Sequence, residues 1–466
     1  MIARLRREHG PTLVVATLAS TFGVALLQIT GYLGSAMRAD DVTGSSGTVA
    51  LMLTIIAWVF VVIAVYVSGV VTANTVATVV AGRTRRIALL RLLGSTARAQ
   101  RRAIAGEGLA IGAIGAVLGV VIGTLVAIGL AEWAAAADVL PRTGYAWADP
   151  AVLPPAIVAI LTTWLAAWAG SRRVLAVRPS EALGNAAARS QEDLAARRGR
   201  TATAATLAIV GTLLLLAGVA LGLMTPLGVL VGLAGGVLSF TGIVLGAHVI
   251  MPPVLRLVGR ALGSAPSARL AAENAVRHPE RSSRMTIGLV IGVTLVTMFA
   301  VAMESYRDLL FAATEDRPEI RAGIEQTVSA TVTVFGVLVG FSALIAAVGL
   351  VNTLSLSVLQ RTRELGLLRA LGFERRQLRT MVLAEAAALT AAATVTGLVL
   401  GIFYGWAGAQ SLLGSVQGEP LVIAPSIPWG VVGVLVVAAG VLTLAASLAP
   451  SRRATSVSPV AALAIE

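Results

Sequence analysis

Ten long stretches of this chain are apolar and almost free of charge, and they fix what it can fold into. They are Thr12–Ala36, Val49–Thr72, Ile104–Ala131, Ala151–Ala169, Ala204–Leu223, Pro226–Ile250, Met285–Met303, Thr327–Leu354, Met381–Gln410 and Pro428–Leu448. A helix needs about 20 consecutive apolar residues to cross a bilayer core. In hydrocarbon every backbone N–H and C=O must be satisfied within the segment, which leaves helices for runs of this kind. The expectation is an all-α, polytopic membrane protein with about ten transmembrane helices. Composition agrees: 13% of residues are charged, against about 25% in a soluble domain. The first run is longer than the roughly 7–15 apolar residues of a cleavable signal peptide, so none is expected.

The connections between runs alternate in charge. All 36 basic residues are arginine, and 31 of them fall in one alternating set: the N-terminus to Pro11, Gly82–Ala103, Ser171–Thr203, Arg256–Arg284, Leu359–Thr380 and the tail from Pro450. The other set, Met37–Thr48, Glu132–Pro150, Met224–Thr225, Glu304–Gln326 and Ser411–Ile427, holds the remaining 5. Arginine-rich loops stay cytoplasmic. Both termini are therefore expected inside a bacterial inner membrane. Arginines spread over six inner connections do not make the single basic patch of a nucleic-acid surface, so no nucleic-acid partner is expected. The outer connections are too short for a self-folding domain, which below about 40 residues needs staples, and the chain has no cysteine. The acidic stretch Glu304–Gln326 reads as a short surface helix before Thr327. The three histidines, His9, His248 and His278, are far apart, and no metal site is expected.

The chain repeats itself. Asn74–Gly94 (NTVATVVAGRTRRIALLRLLG) and Asn352–Gly372 (NTLSLSVLQRTRELGLLRALG) align at a constant offset of 278 and agree at 11 of 21 positions. The register continues through Glu107 and Glu385, Gly119 and Gly397, and Gly123 and Gly401; at an offset of 280, Ser171-Arg172-Arg173 matches Ser451-Arg452-Arg453. Such recurrence marks a duplicated unit. The expected organisation is a four-span unit over residues 1–183, a cytoplasmic linker over 184–203, a central transmembrane hairpin over 204–258, and a second four-span unit over 259–466. An even number of spans separates the units, so they share one orientation, a parallel repeat about an axis along the membrane normal.

Each unit carries a polar cytoplasmic hairpin between its second and third spans. In the second, Leu365, Leu368 and Leu371 share a helical face, with Arg361, Arg363, Glu364 and Arg369 around it, and Gly372 is placed to stop the helix. Arg83, Arg85, Leu89, Leu90, Arg91 and Gly94 repeat the device in the first. Physically such a helix suits a groove on a protein or an anionic lipid surface, and the pattern alone leaves both open.

RTRELGLLRALGFERRQL, followed by MVLAEAAAL and a glycine-rich span, resembles the FtsX-like permease family, which includes macrolide-exporter (MacB), lipoprotein-release and bacitracin-resistance types. The resemblance covers both halves and is most specific around Asn352–Gly401. It implies that Arg361–Gly372 and Arg83–Gly94 couple to a dimeric ABC ATPase, and that this chain is the permease subunit moving an amphiphilic substrate or transmitting force. An extracytoplasmic partner is also within its scope. The large extracellular domain of most such relatives is missing here, and Arg86 stands where the second half has Glu364. The chain lacks lysine altogether. It therefore lacks the P-loop lysine that holds nucleotide phosphates. No catalytic residue is expected in it, no cofactor is expected bound to it, and ATP and Mg²⁺ are expected on the partner.

Other readings remain open on the residues alone. Glu107 and Glu385 sit about one turn inside their spans; they suit pairing with Arg102 and Arg379, or proton relay in a secondary transporter. A non-transporting signalling subunit is the third reading. Gly115-Gly119-Gly123 and Gly397-Gly401-Gly405 read as close-packing stripes, and Asn74 and Asn352 as interhelical hydrogen bonders. His248, with Pro252-Pro253 after it, reads as the end of a span.

Overall fold

The computed structural model describes residues 2–38, 89–136, 142, 144–147, 152–171, 191–261, 279–313, 374–416 and 418–456, with 55, 58, 59, 62, 63, 65–67, 69, 70 and 73 between them. Among these residues there is no strand. Eight long helices follow in order: α1 (Ile2–Arg38), α2 (Ala97–Ala136), α3 (Leu153–Gly170), α4 (Gln191–Gly222), α5 (Gly228–Ala261), α6 (Pro279–Ala313), α7 (Arg375–Leu413) and α8 (Trp429–Ser456). Each covers all or most of one apolar run. Six stretches within them, on α2 to α7, are long and apolar enough to cross a membrane. The described residues from 55 to 73 are helical and follow the run Val49–Thr72. Thr327–Leu354 lies outside the described residues, as do Asn74 and Asn352.

Several helices outrun their apolar segments. α2 has 40 residues, about 60 Å at 1.5 Å per residue, roughly twice the hydrocarbon core. Their ends therefore continue into the polar connections. α4 starts at Gln191, inside the expected linker, and α6 runs to Ala313. The start of Glu304–Gln326 is thus the end of a spanning helix and not a separate surface helix. α5 also continues past Pro252 and Pro253 to Ala261, so His248 does not end that helix. Proline frees a helix carbonyl one turn back, and in a bundle neighbouring groups absorb that loss.

The packing repeats with the sequence. α1, α2 and α3 pack pairwise, and α6, α7 and α8 pack in the same three pairs. The close contacts fall at matching positions. Gly119 and Gly123 of α2 lie on Ser20, Thr21 and Val24 of α1; Gly397 and Gly401 of α7 lie on Val293, Thr294 and Thr297 of α6. The third spans correspond at an offset of 278, while the first spans correspond at 273 (Ser20 with Val293, Thr21 with Thr294, Val24 with Thr297). Between third and fourth spans, Gly112 meets Thr163. At the equivalent place the hydroxyls of Thr390 and Thr443 are 2.6 Å apart.

The central hairpin breaks the symmetry. α4 and α5 close on each other along a glycine seam: Gly211 against Ser239, Gly218 against Gly232, Gly235 against Leu215 and Gly242 against Ala208, backbone to backbone. Side chains this small let helices approach closely in lipid, where dispersion and not water exclusion drives association. α5 packs on α6 and α7, and α4 on α7. Ala247, Met251, Leu255 and Val258 of α5 share one core with Ile287, Val290, Leu389 and Ala392. A second core joins Phe22 and Leu26 of α1, Val67, Leu215, Phe240, Ile291 and Tyr404, tying the first unit to the hairpin and the second unit.

The described connections after α2 and after α7 are pinned to helix ends. Gln28 donates to the Trp147 carbonyl at 3.0 Å, and Tyr32 stacks on the Trp147 ring. In the second unit Gln410 donates to the Leu421 carbonyl at 2.7 Å and accepts from the Ile423 amide at 2.6 Å.

Candidate functional site

The polar connection ahead of α2 is described from Leu89 onward. Leu89–Leu92 form a helical turn that Gly94 stops. Gly94 has φ +95°, a left-handed conformation that a Cβ penalises. The Gly94 amide donates to the Arg91 carbonyl at 3.1 Å, and the Ser95 amide to the Leu90 carbonyl at 3.0 Å. This pair of bonds is the Schellman closure of a helix C-terminus. Two residues later a new helix starts. The Thr96 hydroxyl accepts from the Ala99 amide at 3.1 Å, an N-cap for α2, and Gln100 Nε2 donates to Ser95 Oγ at 2.8 Å. Turn and helix are thus bonded together across the link. Glu374, the counterpart of Thr96 at the offset of 278, is the N-cap of α7 and forms a capping box with Gln377.

The turn holds its leucines outward. Leu93 is 84% exposed, Leu92 51% and Leu89 47%, while Leu90 is partly buried. Of the expected coupling residues, Leu89, Leu90, Arg91 and Gly94 are thus together on one turn. Arg83 and Arg85, and all of Arg361, Arg363, Glu364, Leu365, Leu368, Arg369, Leu371 and Gly372, lie outside the described residues. The sequence reading missed the cap residues Ser95, Thr96 and Gln100. The threonine just ahead of the third span was their available signal. Below the turn, Arg101 stacks its guanidinium 4.0 Å from the Trp168 ring centre and donates to the Trp168 carbonyl, joining α2 to α3. Glu107 and Glu385 are half-buried at matching points of α2 and α7, and Arg102 is exposed.

A cavity of about 120 Å³ lies between the two units. Val59, Ile63, Tyr66 and Val67 come from the first unit, Gly232, Gly236 and Phe240 from α5, Ile291, Thr294 and Met298 from α6, and Tyr404, Gly408 and Ser411 from α7. Phe240 takes edge-on contacts from Tyr66 and Tyr404, one tyrosine from each unit. Their hydroxyls are satisfied by Thr241 at 2.9 Å and Ser239 at 2.8 Å. No signal in the sequence pointed to this cavity, because its walls, with Leu215 of α4, come from five separate segments. Among the described residues no group of three or more His, Asp or Glu could hold a metal ion.

Comparison with known proteins matches the FtsX-like permease C-terminal family twice, over residues 58–179 and 336–459. The starts of the two matches are offset by 278 and their ends by 280, the offsets of the internal repeat. The uncharacterized ABC transporter permease YknZ of Bacillus subtilis (strain 168) is 32% identical over 148 residues, 32% of this chain and 35% of that protein. A second, YvrN of the same organism, is 33% identical over 153 residues, with the same coverage. The macrolide export ATP-binding/permease protein MacB of Rhodopirellula baltica is 34% identical over 153 residues, 32% of this chain and 21% of that protein. The chain thus spans about a third or less of the length of these curated relatives.

Proposed function

The chain belongs to the FtsX-like permease family, and on that premise we propose that it is the membrane-spanning subunit of an ABC transporter whose ATPase is a separate polypeptide. The observation that carries this is the turn Leu89–Thr96. Three leucines stand exposed on a basic connection, on a helix stopped by Gly94 and bonded into the start of α2. Exposed leucines at a water-facing helix end fit a hydrophobic groove on a soluble partner. A rigid link from that turn to a spanning helix fits the passage of partner motion into the membrane.

The arginine bias supports a cytoplasmic position for this turn, with both termini inside. The absence of lysine from this sequence leaves it without a P-loop lysine, so ATP and Mg²⁺ belong to the partner. The proposed cargo is amphiphilic, or force passed to an extracytoplasmic partner. The repeat supplies a second docking segment by sequence, Arg361–Gly372, outside the described residues.

The test is a pull-down of an ABC ATPase subunit co-expressed with this chain. Leu93→Asp puts a charge where the partner would bury a leucine, and an unpaired buried charge costs several kcal/mol. Recruitment should fall in Leu93→Asp and in Leu368→Asp and vanish in the double variant, with membrane insertion intact. Full recruitment by the double variant would remove the coupling assignment.

A further inference from the structure

We propose that the segment 421–424, on the extracytoplasmic side, accepts an extended strand of a partner protein along its open backbone edge. The side of the membrane rests on the orientation proposed above; the pairing itself does not depend on the ATPase reading. Pro420 and Pro425 bracket Leu-Val-Ile-Ala here. Proline ends a helix, and the β-branched pair Val-Ile suits extended backbone. Residues 420–428 form neither helix nor turn, and their bonding has the period of two of an extended chain. The Leu421 amide donates to the Gly414 carbonyl at 2.8 Å, and the Leu421 carbonyl accepts from Gln410 Nε2 at 2.7 Å. Two residues on, the Ile423 amide donates to Gln410 Oε1 at 2.6 Å, and the Ile423 carbonyl accepts from Trp406 Nε1 at 2.9 Å. One edge of the segment is thus fully bonded to the end of α7.

The other edge is open. Successive residues of an extended chain turn their N–H and C=O groups to opposite sides, so Val422 and Ala424 present theirs away from α7. None of these four groups has a hydrogen-bond partner. Val422 is 78% exposed, and Ala424 is exposed as well. Ser426 then ties the segment to α6: its amide donates to Ser305 Oγ at 3.4 Å and its hydroxyl to the Asp308 carboxylate. The backbone is therefore held in the shape of a strand by helix side chains, with no neighbouring strand among the described residues. Native edges of this kind are usually charged or covered. Val422 and Ala424 are neither.

The edge states the chemistry of its occupant. Two donors and two acceptors, alternating along one line, match the backbone of a second extended chain, which adds as a strand does to a sheet edge. Hydrocarbon offers neither donor nor acceptor, so a bilayer does not complete this edge. The ends add charge. Glu419 precedes the segment and Asp308 stands at Ser426, both exposed. The connection Ser411–Ile427 holds no arginine, and the nearby Arg307 is engaged with Glu304 at 3.3 Å. The occupant is an extended segment of an extracytoplasmic protein with basic residues at its ends.

The experiment uses the full chain in nanodiscs of phosphatidylglycerol and phosphatidylethanolamine. The probe is a phage-displayed library of linear ten-residue peptides, counter-selected on empty nanodiscs. Enriched peptides are expected to carry Arg or Lys at an end, and biolayer interferometry gives the Kd of their synthetic forms. N-methylation of every second amide should abolish binding in one phase and spare it in the other, because only alternate amides face the edge. Ala424→Pro removes one edge N–H and should weaken binding roughly 5–10-fold, while Ala424→Val, which keeps it, should not. The N-methyl series reads the pairing on the wild-type chain, so it decides even where Ala424→Pro misfolds. Glu419→Gln combined with Asp308→Asn should flatten the salt dependence of binding; an unchanged dependence would overturn the basic-ended partner. No peptide enriched over empty nanodiscs, a loss on N-methylation that ignores phase, or full binding by a folded Ala424→Pro would overturn the pairing. The chain has no cysteine, so Val422→Cys supplies a single thiol, which a membrane-impermeant maleimide should label in intact spheroplasts. Labelling only after lysis would overturn the extracytoplasmic placement. No ATPase takes part in the selection, so its outcome is read separately from the pull-down.

Discussion

Gly94 decides the shape of the turn proposed to couple to the ATPase. Any L-residue with a Cβ at its φ of +95° pays about 1–2 kcal/mol, and asparagine visits the left-handed region more readily than alanine. Gly94→Ala is therefore expected to weaken ATPase recruitment roughly 5–30-fold, and Gly94→Asn to restore most of it. Titrated pull-downs measure both. A second residue-scale expectation concerns the paired threonines. Thr443→Val removes one member of the buried Thr390–Thr443 contact, and intramembrane hydrogen bonds of this kind contribute about 0.6 kcal/mol. A double-mutant cycle with Thr390→Val should return a coupling of that size. Thr163→Val should return none with position 112, because Gly112 offers no hydroxyl. A coupling at 112 and 163 as large as that at 390 and 443 would contradict the assignment of the second to the hydroxyl pair.

At the scale of elements, apolar length was the most legible property: each of the eight described helices holds all or most of one expected run. The stop at Gly94 was legible too, since glycine after an Arg-Leu-Leu turn has a specific conformational use. The glycine stripes of α2 and α7 were visible as stripes, although which helix each would meet was not. Periodicity says that a face is small and leaves the neighbour unnamed. The correspondence of first spans was hidden for a related reason. α1 and α6 present similar shapes to α2 and α7 through different residues, Ser20 against Val293 and Val24 against Thr297, with Thr21 and Thr294 alike. Helix ends were also misjudged. Polar residues continue a helix once its first turns are held by the bundle, so α4 and α6 extend into stretches that read as connections. The docking of the hairpin on the second unit was illegible, since nothing in the composition of α5 distinguishes α6 from α1.

For the whole molecule, two units of like orientation in one chain imitate a dimer. One permease chain is therefore expected to bind two ATPase subunits, one at each cytoplasmic hairpin. Native mass spectrometry of the purified complex checks this; one ATPase per chain, or an obligatory permease dimer, would contradict it. The imitation is incomplete, because α4 and α5 lie on α6 and α7. That asymmetry has a consequence for synthesis. The hairpin leaves the ribosome before any part of the second unit, and its glycine seam is complete without it. α4 and α5 can thus close in the bilayer first and stand as a scaffold that α6 and α7 meet as they emerge. A chain ended after Ala261 should insert with α4 and α5 already paired, detectable as a disulfide between cysteines placed at Thr212 and Ser239, whose hydroxyls are 3.0 Å apart across the seam. A second unit made without residues 191–261 should reach the membrane lacking the surface it matures against, and be cleared by proteases faster than the intact chain.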